Sequence, residues 1–281
     1  MSKRMMPVFI AVAIFSVLRV FGGEVNAEPA YVLTIESDCV MHSGAADNKL
    51  ATKTEIHYRC ISRGELLAMY QVSHYFKRSI DGNLMEESTA TRDKLVKTTP
   101  DGTQVILVSN AKQEFRDYIA AVFEQPVCVL TLDSDGKAGK VTIPESPASK
   151  SPETADLAKN LQFFHTQFPA AKDKWEQERA FSFGLEHPSG TLTYEKRKPA
   201  EDAPNIIPVA VSGALSATLA GKNGDKLSVT YTLSGEQRYD IAAKQWLSGK
   251  LELKFTSDAD PANKIPGGYS GTATVTLAPE K

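Results

Sequence analysis

From Val209 to Leu219 the larger apolar residues hold the odd positions, Val209, Val211, Leu215, Ala217 and Leu219, with Ser212, Ser216 and Thr218 between them. The same parity returns in Leu227, Val229, Tyr231 and Leu233 against Ser228, Thr230 and Thr232. A period of two gives each segment one dry and one wet face, the signature of a half-buried strand. Asn223-Gly224 between them accepts the positive φ angles of a tight hairpin turn, and Ser234-Gly235 is the next expected reversal. Leu247 to Phe255 and Tyr269 to Leu277 extend the series into an antiparallel meander.

The first third follows the same rule. Tyr31, Leu33, Ile35, Cys39 and Met41 share one side of a strand, and Ile56, Tyr58 and Cys60 share one side of the next. ELLAMYQVSHYFKR is apolar on both faces and is expected to be covered on both. A strand near 103–108 and a hairpin from VCVLTL and KVTI follow.

Two segments change to helical spacing. Phe115, Ile119, Val122 and Phe123 form one stripe, with Asn110 as the expected cap and Pro126 as the stop. Leu157, Leu161, Phe164 and Phe168 form another, opened by Ser151-Pro152. Pro169 ends or kinks that helix, and AAKDKWEQERAF is read as its continuation. Grouped helices and strands predict an α+β fold, a curved antiparallel β-sheet meander with two or three helices packed on its apolar face.

Lys3 and Arg4, an apolar run from Val8 to Leu18, and the small residues Val25 and Ala27 match an export leader cut after Ala27. The run falls short of the roughly 20 residues that span a bilayer. The expected organisation is a signal peptide over 1–27, a β-rich half with one helix over 28–145, and a helix followed by the C-terminal meander over 146–281. The proline-rich PESPASKSPE separates the halves, which alternatively form one continuous domain. Losing the leader takes the formal charge from −2 to −4. No basic block is long enough to track a run of phosphates, so nucleic acid is excluded as a partner.

Local motifs supply little chemistry. Asp133 and Asp135 in DSDGKAG suggest a calcium loop, but with Gly136 at the sharp turn the first and closing ligand positions fall on Thr131 and Thr142. A hairpin turn uses the same residue types. His57 and His74 lie on strands that are expected to be neighbours and could share a face, though no further zinc ligand accompanies them. Ser270 in GGYSGT lacks the second glycine of a nucleophile elbow, and Cys128 has the apolar flanks of an inert thiol. In an oxidising compartment Cys39 and Cys60, on neighbouring strands, are the expected disulfide, with three buried free thiols as the alternative.

Tyr239 and Ile241 extend a dry face, Ala242-Ala243-Lys244 is the expected turn, and Trp246, of opposite parity to Leu247, is expected to face outward. Tyr58, Tyr70, His74 and Trp246 are the candidate ligand contacts, placed where a curved sheet and its helices would enclose an apolar cavity.

VCVLTLDSDGKAGKVTIP and GEQRYDIAAKQWLSGKLELKF are repeated strand-turn-strand units. Together with the leader and the inserted helices, they give a layout that resembles exported bacterial envelope proteins of uncharacterised function. More loosely it is similar to the periplasmic half-barrel carriers of lipids and lipoproteins. The expectation is an exported, periplasmic or extracellular binding protein without catalysis or cofactor, and without a membrane span once the leader is cut. Its partner would be an apolar small molecule or another envelope protein. The alternative is a hydrolase whose site is assembled from distant residues.

Overall fold

The computed structural model describes residues 30–42, 47–63, 66–132, 138–146, 149, 152–165, 168–182, 187–220, 226–258 and 268–280. The leader, Asp133, Asp135 and the Asn223-Gly224 turn lie outside them.

The first eight strands are β1 (Ala30–His42), β2 (Asp47–Arg63), β3 (Leu66–Ile80), β4 (Asn83–Thr91), β5 (Lys94–Thr99), β6 (Gly102–Leu107), β7 (Cys128–Leu132) and β8 (Ala138–Thr142). The last six are β9 (Lys174–Ala180), β10 (Ser189–Lys196), β11 (Ile206–Ala220), β12 (Lys226–Asp240), β13 (Gln245–Ser257) and β14 (Tyr269–Pro279). Helices α1 (Gln113–Glu124) and α2 (Pro152–Phe164) are the two α-helices among the described residues.

All fourteen strands belong to one antiparallel sheet in the order β6-β5-β4-β3-β2-β1-β14-β13-β12-β11-β10-β9, with β7 paired to the start of β3 and β8 to β7. Among the described residues the sheet does not close: β6 and β9 end its main path, and β8 ends the branch that leaves β3. The expected antiparallel meander is present, but the protein is mostly β. The helices cover much less of the sheet than an α+β reading requires.

Period two produces the long register of β11 with β12, from Ile206 opposite Asp240 to Ala220 opposite Lys226. Gly235 lies inside β12 opposite Leu251, so Ser234-Gly235 is no reversal. Chain direction changes instead at 241–244, where Asp240 Oδ1 accepts from the amides of Ala242 and Ala243 at 2.8 and 2.9 Å. Two pairs beyond this turn the register slips. Tyr239 stands opposite Trp246 and Arg238 opposite Ser248, leaving Leu247 as the extra residue of a bulge. That slip turns Trp246 inward, to 3% exposure, against the outward placement that simple alternation predicts.

KWEQERA is strand β9 and not a continuation of α2. Pairing with β10 sets Trp175 opposite Tyr194, their rings stacked with centroids 5.2 Å apart, and this contact overrides a helix-favouring composition. Helix α1 buries Ile119, Ala121 and Phe123, and its N-cap is Lys112, while Asn110 belongs to the 3₁₀ turn Val108–Asn110 before it.

The core occupies the face that carries Tyr31, Leu33, Tyr58 and Leu251, here called the inner face. Helix α2 lies on its C-terminal half, where a Cβ added at Gly249 would meet the Phe164 ring at 3.1 Å. Leu157, Leu161, Phe163 and Phe164 of α2 join Val209, Val211, Tyr231, Leu233, Leu251, Leu253, Val275 and Leu277 in one buried cluster. The opposite positions of β12, Ser228, Thr230, Thr232 and Ser234, are exposed.

Candidate functional site: an open inner face on β3–β6

The register builds one rung of side chains across the N-terminal half. Leu33 of β1 stands opposite Ile56, Ile56 opposite His74, His74 opposite Ala90, Ala90 opposite Leu95, and Leu95 opposite Ile106 at the edge. Directly opposite residues share a face, so the whole rung lies on the inner face. Leu33 and Ile56 are buried, but from His74 outward every member is partly exposed. The next rung places Thr54, Phe76, Ser88, Lys97 and Gln104 in line. Phe76, Leu95 and Ile106 belong neither to the buried core nor to the apolar residues packed against it. From β3 to β6 this open stretch runs roughly 14 Å at ordinary strand spacing. An ion pair of Arg92 with Glu124 at 2.8 Å ties the last turn of α1 to the β4–β5 turn.

The expectation that β3 is covered on both faces is corrected. A bulge at Val72, opposite the His57–Tyr58 step, shifts its parity, Leu66 and Val72 are exposed, and of its residues only Met69 and Gln71 are buried.

Among the candidate contacts, Tyr58 and Trp246 are buried on the inner face and are linked through Tyr31. The Tyr31 hydroxyl donates to the Trp246 carbonyl at 3.3 Å, and its ring stacks on Tyr58 at 5.6 Å. Burial raises the pKa of both hydroxyls. Tyr58 Oη and His165 Nε2 are hydrogen-bonded at 2.9 Å, and burial lowers the His165 pKa to about 4, keeping the ring neutral. His74 belongs to the open rung. Tyr70 lies on the outer face under the Arg59 guanidinium, 5.4 Å from its ring centre. His57 also faces outward, 2.8 Å from Glu280, so it does not share a face with His74.

The expected Cys39–Cys60 disulfide is corrected. Cys39 stands opposite Leu50, ten residues along β2 from Cys60 and therefore roughly 33 Å away. A disulfide needs Cα atoms within about 7 Å, and none of the three cysteines is disulfide-bonded. Burial raises the Cys60 pKa and pushes that of Cys128 up to about 12, so neither offers a thiolate.

Ser182, His187 and Asp156 also converge, a grouping that local motifs did not reveal. Ser182 Oγ lies 2.7 Å and Asp156 Oδ1 3.7 Å from the same His187 nitrogen, Nδ1. A catalytic triad needs the serine on one ring nitrogen and the carboxylate on the other. Both Ser182 backbone groups are tied to the Asn160 side chain, at 2.9 and 3.0 Å, and the residue is 2% exposed. The adjoining cleft of about 430 Å³ is lined by Lys159, Gln162, Phe163, Glu178, Arg179, Ala180, Ser189 and Gly190. Among the described residues no three metal-ligating side chains cluster, and no helix is long and apolar enough to cross a membrane.

No protein-family model matches the chain, and no curated protein matches it in sequence. Among solved structures, one described as lipid-protein interactions in lipovitellin is similar over 92% of this chain, with a TM-score of 0.51 and 11% identity. The chain spans only about a quarter of that protein, 26% of its length. The β domain of the Bordetella autotransporter BrkA matches over 89% of this chain and 99% of its own at 9% identity. Salmonella typhi OmpF with daunomycin matches over 91% and 98% at 8%. Their TM-scores of 0.24 and 0.23 are too low to carry an argument. The lipovitellin likeness shows a shared fold, a large open antiparallel sheet.

Proposed function

We propose that this protein is a non-catalytic binding protein of the cell envelope, exported to the periplasm or beyond, and that it takes an apolar ligand on the inner face of β3–β6. The carrying observation is the contrast along a single face. Where α2 lies on the sheet the inner rungs are dry, whereas Phe76, Leu95 and Ile106 continue the same face only partly buried and outside that cluster. Partly exposed apolar rows on a sheet are a platform for a ligand that brings its own apolar surface. The fold shared with a protein whose structure is described in terms of lipid-protein interactions is in keeping with this role. In this reading His74 lines the site, while Tyr58 and Trp246 hold the sheet and α2 together beside it.

The test is titration of the purified protein with the uncharged dye Nile red. Saturable fluorescence enhancement is expected, and Phe76→Lys with Ile106→Lys should abolish it without lowering the melting temperature. Enhancement that survives both substitutions would move the site elsewhere.

Pairing with another envelope protein through a sheet edge is the second reading, and β6 favours it. Its sequence GTQVIL carries no charge, and Val105 and Leu107 are 57% and 48% exposed. The hydrolase alternative gains no support from the Ser182 grouping, because Ser182 is buried and Asp156 lies on the same ring nitrogen of His187 as the serine, not on the opposite one.

A further inference from the structure

Three charged residues interrupt the apolar floor of the trough. Lys97 stands on the rung of Phe76, and Arg78 and Glu86 face each other on the rung beyond. The Glu86 carboxylate is shared between them, with Oε1 2.8 Å from Lys97 Nζ and Oε2 3.6 Å from Arg78 Nη2. Two cations around one acid leave a net positive charge on the inner face. The outer face carries the opposite arrangement nearby, with Lys53 Nζ 3.1 Å from Glu36 and 2.8 Å from Glu55. The two faces of these strands thus present opposite signs, and on the inner face the positive charge adjoins the partly exposed row of Phe76, Leu95 and Ile106.

Partly exposed ion pairs add little to stability, at most about 1 kcal/mol, so folding does not require the inner cluster. Its position does constrain what can cover the trough. An uncharged cover would take the cations out of water without neutralising the surplus charge, which is costly. An anion at the same place completes the pairing with charge-assisted hydrogen bonds.

We propose that the trough takes an amphiphile with an anionic head group, carboxylate or phosphate, whose head lies at Arg78 and Lys97 and whose tail lies along Phe76, Leu95 and Ile106. This rests on reading the inner face as an apolar-ligand site and adds the ligand's charge and orientation.

The test is calorimetric titration of the full chain with dodecanoate, dodecyl phosphate and uncharged dodecyl maltoside, each below its micelle-forming concentration. Both anions are expected to bind at least about tenfold more tightly than the maltoside, and their ranking names the head group. Arg78→Gln with Lys97→Gln should bring the anions down to the maltoside level and leave the maltoside unchanged. Glu86→Gln, which frees both cations, should tighten the anions, a gain that a folding defect cannot imitate. Equal binding of all three amphiphiles to the native protein would overturn the head-group assignment while leaving the apolar site standing, as would a double substitution that weakens all three alike. Binding of none would overturn both.

Discussion

The two halves of the sheet are built from strands of one kind and end in different states. In β10–β14 the inner positions are dry because α2 lies on them, and the outer positions are Ser, Thr, Lys and Glu in water. In β3–β6 neither face has such a cover beyond the reach of α1, and aliphatic side chains stand half-exposed on both. A strand pattern therefore specifies pairing and parity. Whether the dry face becomes core or binding surface depends on whether a helix is delivered to it.

The sharpest way to break this comparison is to truncate side chains on the same face in each half. Leu161→Ala, beneath the C-terminal half, should cost about 3–5 kcal/mol, as buried large-to-small changes do. Ile106→Ala should stay under about 1 kcal/mol in the absence of ligand. Urea unfolding measures both, and comparable losses would mean that the trough is covered in solution.

Next in size is the junction between the halves, where His165 is buried and neutral. Its folded pKa is lowered from 6.5 to about 4, so the unfolded chain takes the proton first. The contribution is fully present above about pH 6.5 and is lost as pH falls through 4. It amounts to up to about 3 kcal/mol. Unfolding midpoints measured from pH 7 to 4 should show this loss, and His165→Leu should flatten it at a fixed cost from the stranded Tyr58 hydroxyl.

Much of the filled half was legible in the sequence. Val209 to Leu219 and Leu227 to Leu233 alternate because one face is water and the other is core, and the turn at Ala242-Ala243-Lys244 follows. Trp246 was not legible, because a single bulged residue at Leu247 reverses parity and bulges leave no periodic trace. Nor was β9, whose Lys, Glu, Gln and Arg suit a helix until Trp175 meets Tyr194. In the open half, β4 and β5 escaped notice because neither face is dry enough to impose alternation on their Ser, Thr and Lys. The trough was unreadable for the same reason: His74 was picked out, but Phe76, Leu95 and Ile106 come together only through registers that two bulges reset.

A smaller effect sharpens the account of the filled half. Gln237 is 1% exposed, and among the described residues neither its side-chain oxygen nor its nitrogen has a hydrogen-bond partner. Leaving a buried polar group unmet costs about 1–3 kcal/mol, so Gln237→Met, of similar length, should raise stability by about 1 kcal/mol in chemical denaturation. A loss would show that the amide is satisfied in solution.

The smallest change in stability is expected at the edges, which differ as the halves do. Edge β9 carries Lys174, Glu176, Glu178 and Arg179, whereas β6 has no charge. Val105→Lys should alter stability by less than about 0.5 kcal/mol and reduce self-association in sedimentation, because a charge on an edge strand discourages pairing.

The central claim, that the inner face of β3–β6 is an open site for an apolar chain, is tested most directly by photolabelling with a fatty acid that carries a diazirine on its tail, followed by peptide mapping. Labels should fall on Phe76, Leu95, Ile106 and their inner-face neighbours and disappear under excess dodecanoate. Labelling concentrated on Val96 and Val105 of the outer face, or spread over β10–β14, would contradict it.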